Sequence, residues 1–144
     1  MYSGSSPAAA GATGGTGSLL YAQLKNDSRI GQVRALVHGN ATEPKSKEKA
    51  AKALNCKACD ASEGIFYGDV TEPATLTAAF AGVDTLANVV AASFFSSKAL
   101  QKAIEFTGVE HQVAALASSG SSAATRAVAK THGQNMASVS QVRA

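Results

Sequence analysis

Residues 11–17 read Gly-Ala-Thr-Gly-Gly-Thr-Gly, with glycines at 11, 14 and 17, and no other segment constrains the fold as strongly. A helix-compatible stretch over 18–25 comes immediately after it. Glycines at this spacing let bare backbone approach a ligand at the start of a helix. There, unpaired N–H groups and the positive end of the helix dipole favour an anion such as a pyrophosphate. Taken alone, the pattern fits a flexible glycine-rich linker equally well, so its meaning rests on the rest of the chain.

From residue 18 onward, helical and strand patterns alternate. The pattern predicts strands over 6–10, 32–38, 64–70, 84–92 and 112–117, and a weak one over 137–142. Between them it predicts helices over 15–25, 46–54, 95–106 and 122–130, and one between Thr71 and Gly82. Leu20 and Leu24 lie one turn apart. The helix over 46–54 is rich in Ala and Lys, both good helix formers. Thr71 stands where it can cap the third helix, Pro73 falls in its first turn, and Gly82 comes after it as a stop. Gly108 is read as the stop of the fourth. Leu86, Val89 and Val90 belong to a near-continuous apolar run, as in a strand buried on both faces. Such alternation predicts an α/β fold, a three-layer doubly wound parallel sheet of five to six strands in the order 3-2-1-4-5. Ligands of such sheets bind beyond the carboxyl ends of the strands.

Composition narrows the function classes. The 144 residues suffice for one domain with a real core, and 45% hydrophobic against 16% charged residues describes a globular chain. The net charge of +3 is small, and its lysines cluster at 45, 47, 49 and 52 with Glu43 and Glu48 among them, as on a solvated helix face. Neither nucleic acid nor membrane is an expected partner. No apolar run approaches the ~20 residues that span a bilayer. Residues 1–10 carry neither a basic start nor an apolar core, so no secretory signal is expected and the expected location is cytoplasmic, with organellar import left open. Cys56 and Cys59 form a lone Cys-x-x-Cys, and the histidines at 38, 111 and 132 are scattered. A zinc site needs about four ligands. The expectation is a reduced intracellular thiol pair and no metal.

Five segments then carry a resemblance. Gly11-Ala-Thr-Gly-Gly-Thr-Gly17, Val33-Arg-Ala-Leu-Val-His38, Gly68-Asp69-Val70-Thr-Glu-Pro73, Ala81-Gly-Val-Asp84 and Phe106-Thr-Gly-Val-Glu-His111 stand in this order. They resemble the atypical short-chain dehydrogenase/reductase family, and within it the NmrA-like NAD(P)H-binding Rossmann domains. The resemblance covers about residues 8–122. It implies that Gly11, Thr13, Gly14, Gly15, Thr16 and Gly17 line a pyrophosphate and the adenosine ribose. It implies that Asp69 and Val70 flank adenine, and that Ala91 and Ala92 let the second ribose lie against bare backbone. Ser118, with Ser119 and Ser122, comes after the expected fifth strand and is placed near a nicotinamide.

The end of the second strand sets the preference between NAD and NADP. An acidic residue there binds a ribose diol, and a basic one accommodates a 2′-phosphate. Positions 30–42 hold no Asp or Glu, and the even spacing of Arg34 and His38 puts them on one strand face. NADP is therefore the expected cofactor, with NAD possible. Two departures stand out. The first strand, which should be a buried centre rich in Val and Ile, is Pro7 and three alanines. The chain also stops near a sixth strand, where the family continues into its substrate-binding part. Residues 1–144 are read as a single NAD(P)-binding domain without that part.

The family's Tyr-x-x-x-Lys pair is matched in spacing by Tyr21 and Lys25, but these come after the glycine loop instead of the fifth strand, and there is no tyrosine beyond Tyr67. No catalytic residue is assigned. Three readings stay open: an NADP(H)-dependent oxidoreductase acting on an unknown small molecule, a non-enzymatic sensor of dinucleotide redox state, and a truncated remnant that binds nothing.

Overall fold

The computed structural model describes residues 4–119 together with the backbone of two strands beyond them, Thr125–Ala129 and Ser140–Val142. The strands are β1 (Pro7–Ala10), β2 (Arg34–His38), β3 (Ile65–Gly68), β4 (Thr85–Asn88), β5 (Thr125–Ala129) and β6 (Ser140–Val142). They form one sheet in the order β3-β2-β1-β4-β5-β6. All pairings are parallel except that of β6 with β5. The order 3-2-1-4-5 is therefore the one expected. The helices are α1 (Gly15–Asn26), α2 (Pro44–Leu54), the short α3 (Thr77–Phe80), α4 (Lys98–Lys102) and α5 (Gly108–Ala117).

β1 is central despite its composition. Ala8, Ala9 and Ala10 pair with β2 on one side and β4 on the other, and all are fully buried. Pro7 occupies the strand's first position, where its missing N–H costs least. The entry to the strand is fixed by Asp84, whose carboxylate accepts the Ser5 hydroxyl at 2.8 Å and the Ser6 N–H at 2.9 Å.

Strand alternation divides the core into two layers. Ala8, Ala10, Leu36 and Leu86 face a cluster with Leu76, Phe80 and Leu116 from the α3–α5 side. Ala9, Ala35, Val37 and Ile65 face a cluster with Tyr21, Ala50 and Leu54 from α1 and α2. This is the three-layer arrangement that the alternating pattern predicts.

Five expectations are corrected. Residues 112–117 are not a strand: they belong to α5, whose Gly108, Gln112 and Leu116 are buried at helical spacing. A short Val-Ala-Ala-Leu-Ala run has no decisive period, and Ala, Leu and Gln favour helix. Gly108 does not stop the helix. Its φ of −62° is helical, and an added Cβ would lie 2.8 Å from Val70 Cγ2, so glycine here allows close packing. The chain from 98 to 117 is continuous helix with a π-turn at Ala103–Thr107. Conversely, part of the helix expected over 122–130 is β5, the next parallel neighbour of β4. Thr71 caps no helix, since its hydroxyl donates to Asp69 Oδ1, and only a 3-10 turn (Pro73–Thr75) and α3 come after it before β4. Finally, Cys56 and Cys59 are joined as a disulfide, not held as free thiols. Beside it the Glu63 carboxylate accepts the N–H groups of Lys57, Ala58 and Cys59.

Candidate dinucleotide site

The glycine loop links β1 to α1. Gly11 has φ +79°, a region that favours glycine, and an added Cβ would lie 3.0 Å from Val89 backbone. Gly17 is buried in the first turn of α1, where an added Cβ would lie 1.9 Å from the Gly11 carbonyl oxygen. These two glycines serve the fold. Gly14 and Gly15 do not: both are exposed, a Cβ on Gly14 would meet Gly11 O only at 3.4 Å, and one on Gly15 would meet nothing within 4 Å. Their bare backbone leaves room outward, at the start of α1. Gly14 is the N-cap without a side chain to offer, and no acidic residue stands in the first turn. The leading N–H groups of α1 thus have no side-chain cap, and bare backbone leaves open space beside them, the arrangement that suits an anion.

That open space is a cavity of about 710 Å³ along the carboxyl ends of the strands. Its size and place fit a cofactor cleft. Gly11, Thr13, Gly14, Gly15, Thr16 and Gly17 line one side; His38, Asp69 and Val70 line the end toward β2 and β3; Ala91 and Ala92 line the end beyond β4. Most of the residues expected from the sequence are brought together there.

At the β2–β3 end, His38 Nε2 lies 3.4 Å from Asp69 Oδ2. Asp69 Oδ1 accepts the Thr71 N–H at 2.8 Å and the Thr71 hydroxyl at 2.6 Å. Partial burial raises the Asp69 carboxyl, but the two Thr71 hydrogen bonds and His38 outweigh it and hold the group below its ordinary value. The residue is thus fixed as a carboxylate.

Two expected site residues fall elsewhere. Arg34 sits at the opposite end of β2 from His38. Its guanidinium donates to the Ala78 carbonyl at 2.9 Å and lies 5.1 Å from the Phe66 ring centroid, so it does not line the cavity. One face of a strand is shared, but its two ends are separated by the strand's length. Ser118 ends a helix instead of a strand. Its hydroxyl donates to the Ala114 carbonyl at 3.0 Å, and it is absent from the cavity lining. Ser122 lies outside the described residues.

Lys49 of α2 also lines the cavity, although the sequence pattern makes it one of a solvated row. α2 buries Ser46, Ala50 and Leu54. Lys49 adjoins that face, and helical side chains lean toward the helix N-terminus, which here is the cavity edge. The signal in the sequence is its spacing from the apolar residues of α2. Glu105, on the π-turn, is a second residue that the sequence does not single out; its carboxylate accepts the Ala92 N–H at 3.2 Å.

Solved structures share this fold. The Citrobacter sp. triphenylmethane reductase complexed with NADP(H) matches with a TM-score of 0.53 at 25% identity, over 82% of this chain and 35% of that one. An NADPH-dependent quinone oxidoreductase from Escherichia coli, complexed with NADPH, matches with a TM-score of 0.51 at 24% identity, over 81% and 34%. An NADPH-bound carbonyl reductase from chicken fatty liver matches with a TM-score of 0.57 at 16% identity, over 81% and 48%. The chain therefore spans from about a third to about half of these reductases' length. No protein-family model and no curated protein matches the sequence. At the level of fold, the neighbours bear out the resemblance to NAD(P)-binding Rossmann reductases.

Proposed function

We propose that this chain is a dinucleotide-binding domain of the atypical short-chain reductase type, with NADP(H) its preferred ligand and oxidoreduction the activity of the protein it serves. The observation that carries this is the outward opening of Gly14 and Gly15 at the start of α1, on a cavity at the carboxyl ends of the strands. A Cβ there would meet little or nothing of the protein, so the space suits a ligand.

Each group has a stated role. The N–H groups at the start of α1 bind the pyrophosphate, with Thr13 and Thr16 beside it. Asp69 and Val70 border the adenine. His38 and Lys49, the basic side chains lining that end, receive the 2′-phosphate, and the charge of Lys49 is the ground for preferring NADP. Ala91 and Ala92 admit the second ribose to the strand ends. When bound, the dihydronicotinamide would supply hydride chemistry, and the protein its placement.

A second reading is a dinucleotide sensor without catalysis. It is favoured by the cavity lining, which among the described residues includes no tyrosine to protonate a carbonyl. Tyr21 is buried in the α1–α2 layer, where burial first and Glu63 second raise its pKa. Fluorescence titration with NADPH and NADH tests the binding. Saturation by NADPH at lower concentration than NADH supports the proposal, and no saturation by either at millimolar levels overturns it. Cofactor oxidation across a carbonyl panel separates enzyme from sensor.

A further inference from the structure

One helix touches both ends of the cavity. At the β2–β3 end, Gly108 of α5 packs against the Val70 side chain, and the His111 Nδ1–H donates to the Val70 carbonyl at 2.8 Å. At the end beyond β4, the Glu105 carboxylate accepts the Ala92 N–H at 3.2 Å. Val70 and Ala92 both line the cavity, as does Ile104, the neighbour of Glu105. Glu105 stands in the π-turn Ala103–Thr107, directly before Gly108. π-turns are rare in helices and recur at functional sites.

The contact at Ala92 orients a whole peptide unit. Ala91 and Ala92 line the cavity, whereas Glu105 does not. The N–H of the Ala91–Ala92 peptide is therefore turned out of the cavity. The bond is trans, so the carbonyl of the same peptide is turned the other way. Ala91 is exposed, and no donor among the described residues bonds its carbonyl. A main-chain acceptor so placed suits a ligand hydroxyl.

We infer that Glu105 is a positioning residue: by holding the Ala92 N–H, it fixes the Ala91 carbonyl as the acceptor for a hydroxyl of the ribose bound at this end. This rests on the proposed dinucleotide site for the identity of the ligand. The Glu105–Ala92 hydrogen bond itself belongs to the free protein.

Amide exchange and calorimetry on the full chain test this with two variants. Glu105→Gln keeps an acceptor oxygen at the same reach, and Glu105→Asp keeps the charge but shortens the reach. In the unliganded protein, exchange of the Ala92 amide should quicken in the Asp variant and stay slow in the Gln variant. Glu105→Asp should weaken NADPH about fivefold, the scale of one lost hydrogen bond, and leave 2′,5′-ADP, which lacks the second ribose, within about twofold. Glu105→Gln should leave both ligands as in the parent. Equal losses for the two ligands, or an Asp variant that does not fold, would make Glu105 an anchor of the fold and overturn the inference. So would a Gln variant as weak as the Asp one, since charge and not the hydrogen bond would then matter. A parent that binds both ligands, with the Asp variant unchanged, removes this inference alone. A parent that binds neither removes the dinucleotide reading and the inference with it.

Discussion

The carbonyl oxygen of Gly11 lies where a side chain on Gly17 would begin: an added Cβ would sit 1.9 Å from it. The first turn of α1 packs directly on the end of β1, and only glycine permits the contact. Gly17→Ala should therefore destabilise the fold by about 3 kcal/mol or more, through a clash with backbone that cannot rotate away. Urea unfolding of the variant measures this, and stability within about 0.5 kcal/mol of the parent would contradict the packing described.

Gly14→Val should behave in the opposite way. Gly14 holds extended φ and ψ that any residue adopts, and its Cβ would meet the Gly11 oxygen at an ordinary 3.4 Å. The fold should lose no more than about 1 kcal/mol, the usual scale of a poorer N-cap. NADPH affinity should fall at least tenfold, because the new side chain projects into the pyrophosphate position. Unchanged affinity would remove the loop from the site.

Lys49→Ala and His38→Ala should each weaken NADPH about five- to tenfold and leave NADH nearly unchanged, since only NADPH carries the 2′-phosphate. Loss of one charged contact corresponds to about 1–1.4 kcal/mol. The NADPH effect should shrink at high salt, where exposed charges are screened. Equal losses for both dinucleotides would place these side chains elsewhere.

Asp69 links stability to acid. Its carboxyl is held below the ordinary value near pH 4. The stabilisation from its Thr71 and His38 partners is therefore fully present above that ordinary value. It is lost as pH falls through the lowered one. Asp69→Asn should flatten the acid limb of the stability curve there and lower stability at neutral pH. An acid limb identical to the parent's would contradict the assigned hydrogen bonds.

Reducing the Cys56–Cys59 disulfide should cost about 2 kcal/mol, the loop-closure value for so short a ring. Neither cysteine lines the cavity. Urea midpoints with and without dithiothreitol should therefore differ, while NADPH affinity stays the same. A large loss of affinity on reduction would show a coupling between loop and site.

Much of the fold and site is legible in the chain. Alternation of elements yields the strand order, glycine spacing marks the loop, and the family resemblance points to Asp69, Ala91 and Ala92, although β4 itself ends at Asn88. The misreadings share one cause: local pattern carries no depth. Residues 112–117 form a short apolar run without a decisive period, and the helix begun at Ser97 runs on into them because Gly108 packs on Val70 and continues the helical backbone. Arg34 and His38 share a face but not an end. Lys49 is one solvated lysine among four until the packing of Ser46 and Ala50 orients the helix. The disulfide rests on a turn in which Asn55 and Cys59 both take positive φ, which two cysteines in a sequence do not announce.

The most direct test is a ¹H–¹⁵N correlation spectrum of the protein titrated with NADPH. The amides of Gly14, Gly15 and Thr16 should shift first and most, and those of Asp69 and Val70 next. Saturable shifts centred on these residues are the predicted result. No shifts at millimolar NADPH, or shifts that leave the glycine loop untouched, would contradict the account.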